Sequence, residues 1–238
     1  KENKISNPSI ISIANQKGGV GKTTTAINLS TALAAVNNKV LIVDLDAQGN
    51  ASTGLGIPKD EREKSTYDLL TGKATLKDVV KKTNIPSLSI APASTDLSSI
   101  DVDLFEETGR VVKLRDLFAK EKSEFDYILI DCPPSLNLLT INSMVASNSV
   151  LVPLQAEFFA LEGLSQLLLT VRDIRSKINK ALKIHGIVLT MFDKRNKLSE
   201  QIEEDVRGNL GELVYDTVIP RNVRISEAPS FSMPALIY

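Results

Sequence analysis

Short apolar runs recur along this chain, and between several of them apolar residues return every three or four positions. The runs are Ile10–Ala14, Lys39–Asp44, Leu88–Ala91, Asp126–Asp131, Ser149–Leu154, Gly186–Phe192 and Tyr215–Ile219. Continuous β-branched runs of this length predict strands buried on both faces. Helical spacing follows in Ala26, Leu29, Leu33 and Val36, again in Leu136–Ala146, and most clearly in Leu161, Leu164, Leu168, Val171, Ile174 and Ile178. The alternation predicts an α/β fold, with a mostly parallel central sheet and helices on both faces. Ligands of such sheets collect at the carboxyl ends of strands. The loop after Ala14, the acids Asp44 and Asp46, and Asp131 all fall there.

The most polar stretch is Ile57–Asn84. Ser65-Thr66-Tyr67-Asp68 and Thr75-Leu76-Lys77-Asp78 within it have the form of helix starts. With no internal repeat and no low-complexity linker, the pattern predicts a single domain over 1–238, carrying residues 57–84 as a peripheral insertion. A chain of 238 residues suits one α/β domain with a large core. No apolar stretch approaches a membrane span. The run at Ile10 is short, follows Lys1 and Lys4, and enters a glycine loop, so it is expected to be a strand and not a signal peptide.

One cysteine permits no internal disulfide, which suits a cytosolic setting. Cys132 is expected as a small core residue. The single histidine, His185, is expected to be hydrogen-bonded and partly buried, with no acid–base role. No Cys/His cluster has metal-ligand spacing, and magnesium is the only metal expected. The net charge is −1, but the charges are segregated. Arg172–Lys197 holds eight basic residues and two acids; Glu200–Asp216 holds six acids and only Arg207. Such polarity makes a basic face, or else helix faces that cancel in solvent.

The chemistry concentrates in Lys17-Gly18-Gly19-Val20-Gly21-Lys22-Thr23-Thr24, between the first strand and the first helical pattern. Strand, glycine loop and helix are the context of a phosphate-binding loop. Glycines let backbone N–H groups approach a polyphosphate. The following helix N-terminus adds unpaired donors. Lys22 supplies charge to the outer phosphates, and Thr23 offers a hydroxyl to magnesium. Gln16 stands where the usual loop opens with glycine, and Lys17 adds a second lysine at the entrance. Asp131 ends an apolar strand, as a Walker B carboxylate does, and is expected to hold magnesium. Of Asp44 and Asp46, one can face the metal and the other an attacking water. Hydrolysis would proceed by positioning, with no covalent enzyme intermediate.

With these residues in hand, the chain resembles a known family. The loop is similar to the deviant Walker A motif of P-loop NTPases. Asp44-Leu45-Asp46-Ala47-Gln48-Gly49-Asn50 resembles the second motif of ParA-type partition ATPases, and Ile128–Pro134 their Walker B. Pro220–Ser230 resembles their C-terminal signature. The short chromosomal ParA or Soj subgroup is the nearest in pattern. Ala47 stands where that family usually has proline, and Ser232 where glycine is common.

The resemblance implies a Mg-ATP-dependent chromosome or plasmid partition ATPase, cytoplasmic and nucleoid-associated. It implies that ATP drives homodimerisation, with Lys17 reaching the partner's phosphates. Lys22, Thr23 and Asp131 take the phosphate and magnesium roles, Asp46 orients water, and Asp44 supports the metal side. Pro220 and Asn222 fall at the adenine. The dimer is expected to bind DNA without sequence preference through Arg195 and Arg224, with Lys194, Lys197 and Arg221 as further candidates. A ParB-type centromere-binding protein is expected to stimulate hydrolysis and release the DNA.

The alternative is a MinD-like membrane-associated positioning ATPase, which shares the loop but needs a C-terminal amphipathic helix. The family normally continues with at least one helix past the signature, and the sequence is expected to lack it. An iron–sulfur carrier is excluded by the single Cys132. A non-enzymatic nucleotide sensor would find Asp46 dispensable. Only about a dozen residues precede the loop, so the N-terminal DNA-reading domain of large plasmid relatives is not expected. No membrane partner is expected.

Overall fold

The computed structural model describes residues 7–121, 123–157 and 159–238. Lys1 and Lys4 lie outside them. Among the described residues eight strands form one sheet: β1 (Ser9–Ile13), β2 (Val40–Asp44), β3 (Lys81–Lys82), β4 (Leu88–Ala91), β5 (Tyr127–Asp131), β6 (Ser149–Gln155), β7 (Lys183–Phe192) and β8 (Val214–Pro220). Their order is β3-β4-β2-β5-β1-β6-β7-β8. All pairings are parallel except β3 with β4. Each predicted run is a strand. The two-residue β3 was not foreseeable, because an edge pairing of two lysines leaves no apolar signature.

The helices are α1 (Lys22–Ala35), α2 (Asn50–Gly54), α3 (Thr66–Thr71), α4 (Leu76–Val79), α5 (Ile100–Asp103), α6 (Lys113–Lys120), α7 (Leu138–Ala146), α8 (Ala160–Lys177), α9 (Lys197–Leu210) and α10 (Val223–Glu227). None is long and apolar enough to cross a membrane. Because side chains alternate along a strand, the sheet feeds two cores. Leu41 and Val43 join Leu69, Leu114, Leu139, Leu164 and Leu167 on one face. Val40 and Ile42 join Ala26, Ile27 and Ala34 on the other. Ile42 is wholly buried in the sheet. Cutting it to alanine would cost about 2–5 kcal/mol.

Helix α1 presents a different face from the one its leucines suggest. Ala26, Ile27, Ser30, Thr31 and Ala34 are buried, while Val36 is 67% exposed. Small residues let the helix lie close to the sheet. Leu29 and Leu33 are left at the side, in an apolar groove with Val188 and Tyr215.

Both expected helix starts in the polar stretch carry complete capping boxes, at Ser65 with Asp68 and at Thr75 with Asp78. The stretch also contributes Leu69, Leu70, Leu76 and Val79 to the core. Its Thr66 hydroxyl donates to the Asp44 carbonyl at 2.8 Å, tying it to the end of β2. Cys132 is buried, as expected, and donates its thiol to the Ser143 hydroxyl. Burial pushes that thiol up to about 12, well out of the reactive range. His185 is hydrogen-bonded to the Tyr215 hydroxyl, but it is exposed and not partly buried.

Candidate functional site

A cleft of about 470 Å³ opens at the carboxyl ends of the central strands. One wall is the glycine loop: Gly18, Gly19, Gly21, Lys22, Thr23 and Thr24 all line it. Gly19 and Gly21 adopt φ of +74° and +87°, a region that a β-carbon disfavours. Gly21 caps α1 without a side-chain hydrogen bond, so the first N–H groups of that helix have no capping oxygen from the chain. Val20 points into the protein, and its carbonyl accepts the Thr190 hydroxyl at 2.8 Å. The loop is thereby tied to the end of β7.

Lys22 is 7% exposed, and its ammonium donates to the Lys17 carbonyl at 2.8 Å. Burial lowers its pKa, with Asp131 the strongest opposing influence. Lys17 itself is not on the cleft wall. Its ammonium pairs with Glu157, just after β6, and both side chains are partly exposed.

Three acids gather beside the loop. Asp131 ends β5 in register with Asp44 at the end of β2. Both are fully buried. Burial, followed by the neighbouring Asp44, holds the Asp131 carboxyl well above the usual range. Burial likewise raises Asp44 to about 6, against hydrogen bonds from Ser52 and Asp46. Asp131 accepts the Thr23 hydroxyl at 2.8 Å through Oδ2, and its Oδ1 has no partner. Asp44 uses both oxygens: Oδ2 accepts Ser52 N–H and Oγ at 2.9 and 2.7 Å, and Oδ1 accepts Asp46 N–H at 3.1 Å. Asp44 is not on the cleft wall and meets it only through the backbone of Asp46. Asp46 lines the cleft.

A buried carboxylate with an open oxygen, beside a threonine hydroxyl and a second carboxylate, suits a hard divalent cation. Among the described residues no cluster of three or more His, Cys, Asp or Glu could hold an ion alone. Thr23 and Asp131 are the residues that would hold magnesium here.

The other wall comes from distant sequence. Pro220 ends β8, and Asn222 caps α10 by accepting Arg224 N–H at 2.9 Å. Both line the cleft with Ile219, Ile225 and Ser226. Thr190 and Met191 line it too and were missed in the sequence. Met191 has φ +49°, a strained conformation for a non-glycine residue at the end of a strand. The carboxyl-end rule that found Asp44 and Asp131 would have found these two had it been applied to β7.

The candidate nucleic-acid residues are less tightly grouped. Lys194, Arg195 and Lys197 are exposed where β7 passes into α9. Arg195 is 91% exposed and is held by Asp193, with Nε and Nη2 donating at 3.0 and 2.9 Å. That bond holds the Asp193 carboxyl down to about 2. Arg221 also lowers Asp193, so it lies near this group, yet it stands on the cleft wall. Arg224 is exposed on α10.

Residues 8–184 match a family model described as an AAA domain. A chromosome partitioning protein ParA of Caulobacter vibrioides is 54% identical over 231 residues, covering 96% of this chain and 86% of that protein. A sporulation initiation inhibitor protein Soj of Bacillus subtilis is 49% identical over 229 residues, covering 96% and 90%. Among solved structures, a Mycobacterium smegmatis protein described as cobyrinic acid a,c-diamide synthase superposes with a TM-score of 0.85 at 35% identity, covering 94% of this chain and 93% of that one. It was solved with an ATP analogue and magnesium bound.

Proposed function

The chain belongs to the ParA/Soj family of chromosome-partitioning P-loop proteins, and on that premise we propose that it is an ATP-switched partition ATPase. The observation that carries the reading is the convergence on one cleft of the glycine loop, Lys22, Thr23 and Asp46, with the Thr23–Asp131 hydrogen bond at its base.

ATP enters with its polyphosphate against the N–H groups of Gly18–Thr24, and Lys22 exchanges the Lys17 carbonyl for phosphate oxygen. Thr23 and Asp131 would hold magnesium, which neutralises phosphate charge when bound. Asp46 orients the attacking water. Asp44 fixes the backbone of Asp46, a positioning task. Pro220 and Asn222 face the base from the other wall. The prearranged donors of the loop supply the electrostatic part of catalysis.

Lys17 has a distinct task. In the single chain it rests on Glu157, away from its own cleft. In an ATP-bound homodimer it releases Glu157 and reaches the partner's phosphates. The dimer doubles the exposed cations Lys194, Arg195, Lys197 and Arg224, with Arg221 at the margin, and binds DNA without sequence preference. If each dimer neutralises about five phosphates, log affinity falls with log salt at a slope of about −4 to −5. ATP, by favouring the dimer, acts as the DNA switch. A ParB-type partner stimulates hydrolysis and returns the monomer. The protein works in the cytoplasm, on the nucleoid.

The deciding experiment is retention on random-sequence DNA across a salt series, with ATP, with ADP and with no nucleotide. Wild type is expected to be retained only with ATP, Asp46→Ala persistently with ATP, and Lys22→Ala never. Equal retention in all nucleotide states, or strong binding by a variant locked as a monomer, would refute the switch.

A further inference from the structure

We propose that Arg62 is a positioning residue for this hydrolysis, its buried guanidinium clamping the turn that carries Asp46. The inference rests on the ATPase reading above and adds a residue that no motif marks. Arg62 sits in Lys59-Asp60-Glu61-Arg62-Glu63-Lys64, six charged residues in succession. Five of them are exposed, as such a run should be. Arg62 is 7% exposed.

A buried guanidinium must place its donors. Nε and Nη2 donate to the Ile57 carbonyl at 3.1 and 2.6 Å, Nη2 to the Thr53 hydroxyl at 2.8 Å, and Nη1 to the Ala93 carbonyl at 3.5 Å. Among the described residues no carboxylate forms an ion pair with it. Burial pulls its pKa down, and the nearby Asp44 pulls it back up. The group therefore joins the segment after α2 to the segment after β4, under the loop between β2 and α2.

What it presses on is Gly49. That residue has φ +64°, and a β-carbon built there would lie 2.3 Å from Nη1 and 3.4 Å from Cζ. The guanidinium thus occupies the space directly against the turn. The same turn is closed by Gly49 N–H donating to the Asp46 carbonyl at 2.8 Å and Gln48 N–H to Asp46 Oδ1 at 3.0 Å. On its far side, Asp46 N–H is held by Asp44. Ser52 completes the frame, donating to Asp44 while its hydroxyl accepts Ala93 N–H at 3.0 Å. Asp46, Gln48 and Asn50 reach the cleft from this turn. Asp44 grips one end and Arg62 backs the other. The glycine loop, which binds phosphate, touches neither contact of the clamp.

The separation sets the test. Arg62→Lys keeps the charge and loses the planar fork. Arg62→Gln loses both, and Gly49→Ala disturbs the same contact from the opposite side. ATP turnover, affinity for a fluorescent ATP analogue, thermal midpoint and amide hydrogen exchange at residues 46–50 are measured for each. The expected result is kcat lowered by about tenfold with KM and nucleotide affinity within about threefold. Exchange rises at Gln48 and Gly49, and the loss in the Arg62→Lys/Gly49→Ala double variant is smaller than the product of the single losses.

Unchanged kcat in the Arg62 variants, or unchanged exchange over 46–50, overturns the proposal. So does a parallel fall of kcat, nucleotide affinity and thermal midpoint, the pattern of a residue that only supports the fold. Should Arg62→Gln fail to fold, Arg62→Lys and Gly49→Ala decide by the same criteria. If wild type itself does not turn over ATP, the ATPase reading fails separately, and exchange at Gln48 and Gly49 still decides whether the clamp exists.

Discussion

Lys22, on the glycine-loop wall of the cleft, and Asp44 and Asp131, buried behind it, are all less than a tenth exposed, whereas Pro220, Arg221 and Asn222 on the facing wall are exposed. The first wall is made at strand ends in the middle of the sheet, where β5 lies between β2 and β1. The second hangs from β8, the strand at one edge. Buried charges must find partners or change protonation state, so their environment dictates their chemistry. Exposed groups are cheap to move and can adapt to what binds. The phosphate wall should therefore be intolerant of change, and the facing wall should tune affinity in small steps.

The sharpest break of that contrast would be a mild Lys22→Ala. We expect nucleotide affinity to fall by about 100-fold or more, since a charge-assisted contact to polyphosphate is lost. Equilibrium binding of a fluorescent ATP analogue measures it, and a loss under about threefold would contradict the assignment.

Asp46→Ala comes next. Turnover should drop on the order of 100-fold with little change in nucleotide affinity, as befits a residue that acts on the water and not on the phosphates. Single-turnover kinetics separates the two quantities. A matching loss of affinity would move Asp46 from catalysis to binding.

The buried acids give a prediction about pH. Burial raises Asp44 from its usual 3.8 to about 6, and Asp131 moves in the same direction. An acid raised in the folded state costs the fold nothing where both states are protonated. Its destabilisation grows as pH climbs from about 4 to about 6 and is complete above that. For Asp44 this amounts to on the order of 2–3 kcal/mol. Thermal midpoints of the nucleotide-free protein should fall over that window. Asp131→Asn, with an amide that still accepts from Thr23, should flatten the curve and raise the midpoint at neutral pH while impairing hydrolysis. A midpoint that rises steeply between pH 4 and 6 in wild type would reverse the sign and sink the account.

On the facing wall the effects should be smaller. Asn222→Ala removes the α10 cap and should weaken nucleotide binding by about three- to tenfold. Smaller still, Lys194→Ala should lower DNA affinity evenly across sequences and reduce the magnitude of the dimer's salt slope by about 2, about 1 for each protomer. A change in sequence preference instead would mean that Lys194 reads bases.

The same contrast explains what could be read in advance. Every long apolar run became a strand, because two-sided burial leaves a continuous signature. Asp44, Asp46, Asp131 and the glycine loop were legible because each sits beside such a run. Arg62 was not, since its five charged neighbours argue for solvent, and only the fold brings Gly49 against it. Thr190 holds the Val20 carbonyl across 170 positions of sequence, a relation that no local pattern can express. The spacing of Ala26, Leu29, Leu33 and Val36 marked α1 as a helix but not the face it buries, because close packing on a sheet favours small side chains such as Ala26, Ser30 and Ala34.

The Thr190 bond has a mechanical consequence. From the residue that grips the phosphate loop to Arg195 the chain advances only five positions, through the kinked Met191 and through Asp193. The wiring between the two ends is covalent and almost as short as it can be. Asp193 is also the group that occupies the Arg195 guanidinium. The carboxyl end of β7 thus carries, within six residues, both the anchor of the glycine loop and the ion pair that orients Arg195.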